Sequence, residues 1–110
     1  MTTTELTAGG RIRLWSATST VTSGVATFYP TDDGTAGGVA MFQMIETVHP
    51  TAEKNTSTMS DVPTASLKAI SGDRKTITVN CTVGTVLGIL GATILAAPNG
   101  TVVHCLIIGN

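Results

Sequence analysis

The chain has 110 residues, enough for one domain with one core and too few for two. Only 12% of the residues are charged, the net charge is -1 and 42% are apolar. The charged share is about half the usual one and forms no basic stripe, so binding to DNA or RNA is disfavoured. The polar surface comes instead from 21 threonines, β-branched residues suited to the wet face of a pleated sheet. Such a surface implies burial against copies of the chain or a larger scaffold.

Residues 1–10 are small and polar, end in Gly9-Gly10 and show no apolar period, which predicts a flexible N-terminal arm followed by a single β domain over 11–110. Met1-Thr2-Thr3-Thr4-Glu5 lacks the basic start and apolar run of a secretory signal, so export by that route is not expected. Arg11 to Ser16 alternates and predicts a strand with Ile12 and Leu14 inward and Trp15 outward. There Trp15 serves either as an interface anchor or as a cover for the core edge. After a Ser/Thr-rich link, Gly24 to Tyr29 predicts a second strand stopped by Pro30. Thr31 to Gly38 is then a loop, because Asp33-Gly34 is a turn signal. Asp32 and Asp33 are adjacent rather than alternating, which is the wrong spacing for a calcium loop, so no metal is expected.

Val39 to Val48 predicts a strand that is apolar on both faces, with Phe42 and Met44 on one of them, placing it centrally or beneath an interface; Pro50 closes it. Thr51 to Pro63 is polar and predicts a surface loop. Ala65 to Ile70 and Thr76 to Val83 form a hairpin around Ser71 to Lys75, and Ile77, Val79, Cys81 and Val83 share its inward face. Thr85 to Ala97 supports two readings, a short helix with Thr85 as N-cap or an irregular strand and loop, because Gly88 and Gly91 oppose a helical stripe. Thr101 to Ile108 is the last strand, with Val103, Cys105 and Ile107 on one face and Val102, Leu106 and Ile108 on the other. That second face needs a cover, either Val86 to Leu95 or a second subunit. The expected fold is all-β, a single-domain antiparallel β-sandwich or barrel of about seven strands.

No reaction is encoded in a recognisable way. A Gly-x-Ser-x-Gly elbow and a Walker loop are absent, and His49 and His104 are far apart in sequence with no ligand pattern. Cys81 and Cys105 lack metal spacing and read as reduced buried thiols, with a cross-strand disulfide as the alternative. No catalytic residue, cofactor or metal is therefore expected. The interface candidates are Trp15, Phe42, Met44, Leu106 and Ile108.

Three stretches carry a resemblance to a known group: Val25 to Ala36, Lys75 to Val79, and Ala97 to Val103. With them the chain resembles small virion structural proteins of tailed bacteriophages, those that decorate heads or associate with tails. The resemblance implies a non-enzymatic β domain present in many copies on a virion and assembled in the host cytoplasm. Its partners would be itself, as a homo-oligomer and most simply a trimer, and the major capsid or tail protein, with no nucleic acid and no membrane. The expected function is decoration or cementing of a capsid. The alternatives are a tail or fibre position, or a small carbohydrate-binding or adhesion module using Asp32 to Gly38 and Thr51 to Pro63.

Overall fold

The computed structural model describes residues 2–6, 12–53, 63–86 and 92–110, and among them every regular element is a strand. The strands are β1 (Thr2–Leu6), β2 (Ile12–Thr20), β3 (Val25–Phe28), β4 (Ile45–Ala52), β5 (Pro63–Ile70), β6 (Ile77–Val86), β7 (Ala92–Ala96) and β8 (Val102–Gly109). They form two antiparallel sheets. The first has the order β1-β2-β8-β4; the second has β3-β6-β5, with β7 also on β6. The sheets pack face to face as an open sandwich rather than a closed barrel, in agreement with the all-β reading.

The period-two strands bury the face that alternation predicts. Ile77, Val79 and Cys81 of β6 are 0% exposed, and Val103, Cys105 and Ile107 of β8 lie opposite them in the core. Trp15, Ala17, Val21, Ala26, Phe28, Phe42, Val83 and Ala97 complete it. Each fully buried Ile, Val or Phe contributes about 1.5–3 kcal/mol, so these few side chains carry most of the stabilisation.

The chain passes between sheets at Val21 to Gly24. Thr22 and Val25 exchange backbone hydrogen bonds at 2.9 and 3.1 Å. Ser23 and Gly24 both take positive φ, 52° and 79°, a pairing that suits a two-residue reversal. Gly24 is required on two counts, since a Cβ there would also meet Ala96 Cβ at 3.0 Å.

The structure bears on five expectations. Trp15 points inward and Ile12 outward, the reverse of the predicted facing of β2: Trp15 is 1% exposed and its ring meets Phe28 edge-on, with centroids 6.5 Å apart. The Ser/Thr-rich link after Ser16 is instead the second half of β2, held by β8 from Ser16↔Leu106 to Thr20↔Val102. Val39 to Met44 is irregular, and β4 begins at Ile45 and runs through Pro50 to Ala52. Proline is tolerated there because β4 is an edge strand, where a missing N–H breaks no ladder. The helix alternative for Thr85 to Ala97 gives way to antiparallel pairing of Thr82–Val86 with Ala92–Ala96; residues 87–91 lie outside the described residues. Finally, of the expected arm, Thr2–Leu6 pairs with β2 as β1, and residues 7–11 lie outside the described residues. The predicted loop over 51–63 is also mostly outside them, at 54–62.

Candidate functional site

The outer face of the first sheet is assembled from alternate residues of β2, β8 and β4, and the registers fix which side chains share a row. Leu14 lies opposite Ile108, which lies opposite Thr47. The next rows are Ser16, Leu106 and His49, then Thr18, His104 and Thr51. The face thus has two halves. Ile12, Leu14, Ile108 and Leu106 make an apolar half, in which Ile12 is 46% and Leu106 38% exposed. Thr18, His49, Thr51 and His104 make a polar half. A groove of about 390 Å³ runs between them, lined by Ser16, Thr18, His49, Thr51, His104 and Leu106, with a smaller depression of about 130 Å³ beside Leu14 and Leu106.

His104 Nε2 lies 2.9 Å from Glu53 Oε2, the carboxylate just past the end of β4. Both side chains are about half exposed, so this pair contributes only about 0–1 kcal/mol to folding. It orients the imidazole more than it stabilises the domain. His49 sits on the neighbouring strand one row along, a diagonal neighbour within reach of the same groove.

The interface candidates separate cleanly. Trp15 and Phe42 are core residues at 1% and 2% exposure, and neither offers a side chain to a partner. The reason for Trp15 is the inverted facing of β2. Phe42 is drawn in at the irregular segment ahead of β4, where its carbonyl accepts the Arg74 Nε–H at 3.1 Å. Met44 is 56% exposed beside the end of β8, with its carbonyl accepting the Asn110 N–H at 3.0 Å. Leu106 and Ile108 share the outer face. The structure adds Ile12 and Leu14 to that patch, and brings His49 and His104 together across β4 and β8. The signal for the histidines is strand parity, which becomes readable only once β4 is known to continue through Pro50.

The other groups considered as sites are spent on structure. Asp33 Oδ1 accepts from the Thr35 N–H at 2.9 Å and the Thr35 hydroxyl at 2.8 Å, and these bonds hold its carboxyl below the usual range. Asp32 Oδ1 accepts the Val39 N–H at 2.8 Å. Gly38 packs so tightly beneath both carboxylates that a Cβ there would collide with them. Asp32 and Asp33 thus close their own loop. Among the described residues no group of three or more His, Cys, Asp or Glu side chains is placed to hold a metal ion. Cys81 and Cys105 are free thiols in different sheets; burial raises the Cys81 thiol and pushes Cys105 up to about 11. Among the described residues no helix is long and apolar enough to cross a membrane.

No family model, curated protein or solved structure matches this chain.

Proposed function

We propose that the protein is a non-enzymatic virion structural protein that self-associates and decorates or cements a bacteriophage capsid. The observation that carries the self-association is the apolar half of the first sheet's outer face, with Ile12 and Leu106 exposed and Leu14 and Ile108 half-buried, on a chain whose charge is too sparse to favour a free-standing surface. On the second sheet the outward residues of β3, β5 and the first part of β6 are mostly polar, as at Thr27, Thr64, Ser66, Thr78, Asn80 and Thr82. The phage setting is supported by the resemblance of the three stretches quoted above. Burying a modest patch many times in an array adds stability by mass action, which a single small domain cannot supply alone.

Sedimentation of the purified protein, alone and with expanded phage capsids, tests both parts. The expected result is concentration-dependent association and co-sedimentation with the capsid. A chain that remains monomeric and leaves capsids bare overturns the proposal, and negative-stain labelling of tails instead of heads moves it to the tail alternative. The adhesion alternative receives less support, because Asp32 and Asp33 are committed within their own loop and the 390 Å³ groove is lined by no Trp, Tyr or Phe ring to stack on a sugar.

A further inference from the structure

Two connections of the chain are tied to each other where β2 crosses to β3. The first is the reversal at Ser23 and Gly24. The second is the turn Pro98-Asn99-Gly100-Thr101 between β7 and β8, where the Thr101 N–H and hydroxyl both donate to the Pro98 carbonyl, at 3.2 and 2.6 Å. Gly100 has a φ of 88°, as the third residue of a type II turn requires. Three hydrogen bonds join the two connections. The Ser23 N–H donates to Asn99 Oδ1 at 3.0 Å, the Gly100 N–H to the Val21 carbonyl at 2.9 Å, and the Val21 N–H to the Thr101 carbonyl at 2.9 Å. β6 anchors both sides of this clasp, since the Cys81 N–H donates to the Gly24 carbonyl and the Cys81 carbonyl accepts the Ala97 N–H, each at 2.9 Å.

Asn-Gly is a chemically labile pair, because glycine has no side chain to keep its nitrogen away from the preceding carboxamide. The Gly100 nitrogen attacks Asn99 Cγ, a C–N bond forms, the bond to the amide nitrogen breaks, and ammonia leaves with the proton from Gly100. Water then opens the cyclic imide at either carbonyl. One opening gives aspartate, and the other gives isoaspartate, in which the main chain runs through Cβ.

We propose that Asn99 is a self-modification site gated by this clasp: it stays an amide while the Val21 to Gly24 reversal holds the turn, and it converts when the reversal lets go. Asn99 and Gly100 are both exposed, so burial does not guard them. The guard is that both reacting groups are engaged, the Gly100 N–H on Val21 and the Asn99 carboxamide on Ser23. Reaction therefore proceeds through local opening. Opening hydrogen bonds of ordinary net strength slows it about ten- to hundredfold relative to the unfolded chain. The change is one-way, because isoaspartate adds a main-chain carbon between Pro98 and Gly100 and the turn no longer fits its partner. The site is independent of the self-association proposed above.

Peptide mapping by mass spectrometry of the full chain, held at mildly alkaline pH either folded or in concentrated urea, tests this, with Asn80, which precedes Cys81, as the internal reference. Asn99 is expected to convert in urea and to do so about ten- to hundredfold more slowly in the folded chain. Equal rates in the two states overturn the gate, and an Asn99 that stays intact in urea overturns the site. Gly24→Ala strains the reversal, through the φ of 79° and the contact with Ala96, and should speed conversion in the folded chain. If that variant does not fold, Thr101→Val, which removes the hydroxyl bond to Pro98, carries the same test. A folded variant that converts no faster than the parent overturns the clasp as the guard. Chain converted in urea and then refolded should show a lower urea midpoint for its isoaspartate fraction, whereas Asn99→Asp, which keeps an acceptor for Ser23, should match the parent. An isoaspartate form as stable as the parent overturns the one-way character of the change.

Discussion

The two outer faces of the sandwich differ in what they ask of their surroundings. On the second sheet the outward residues of β3, β5 and the first part of β6 are mostly hydroxyls and amides: Thr78, Asn80 and Thr82 on β6, with Thr27 on β3 and Thr64 and Ser66 on β5. Water satisfies that ladder at no cost. On the first sheet the corresponding positions hold Ile12, Leu14, Leu106 and Ile108 before turning polar at Thr18 and His104. Each Å² of that apolar surface left in water forgoes about 25 cal/mol. Among the described residues the polar stretch needs no cover, and the apolar half of the first sheet is where association has something to gain.

Adjacent residues of β8 provide the strongest way to break that contrast. Ile107 is 0% exposed, so Ile107→Asp buries a charge in the core and should cost more than about 4 kcal/mol, leaving little folded protein by circular dichroism. Trp15→Ala should cost about 3–5 kcal/mol as a lower urea midpoint with an unchanged slope, whereas a near-neutral result would return Trp15 to the surface. Leu106→Asp, one residue from Ile107 but 38% exposed, should stay folded within about 1 kcal/mol and lose self-association. Unfolding by this substitution would mean that the outer face is covered within the chain. Ser66→Asp on the second sheet should change stability by only about 0.5 kcal/mol and leave association untouched.

The smallest effect concerns the thiols. At mildly alkaline pH neither Cys81 nor Cys105 should react with iodoacetamide in the native protein, and both should be alkylated after denaturation without reductant; a mass showing fewer than two adducts would reveal a disulfide. The Cys105 thiol ionises near 11 when folded, against 9.0 for an exposed thiol. Its contribution to stability is present below 9.0 and is lost as the pH rises toward about 11, so alkaline titration should show a stability that falls over that interval.

Legibility followed the number of faces that carried apolar residues. In β6 only one parity is apolar, and Ile77, Val79 and Cys81 went inward as the pattern dictates. In β2 both parities carry large apolar side chains, and local counting favoured Ile12 and Leu14 over Trp15. The ring of Phe28 from the second sheet decides for Trp15, and sequence proximity cannot foresee that contact. In β5 the bulge between Leu67 and Ala69 changes the parity, so Ala69 lies opposite the outward Thr78 while Ile70 lies opposite the buried Ile77. Pro50 misled in the same way, since whether a proline ends a strand depends on whether that strand has a neighbour on both sides. The site inherited these errors. Leu106 and Ile108 were readable from β8 alone, but their companions Ile12 and Leu14 were not, and neither was the meeting of His49 with His104.

The sequence by itself determined the all-β class, the inward residues of β6 and β8, the burial of both cysteines and the poverty of surface charge. These follow from composition and from a period of two, which is a property of neighbouring residues. The tertiary structure decided the order of strands, which parity of β2 is buried, the continuation of β4 through Pro50 and the assembly of one outer face from three separated segments. Those depend on free energies of packing between residues far apart in the chain, such as Ser16 with Leu106, 90 positions apart, and His49 with Leu106, 57 apart, and no local pattern encodes them.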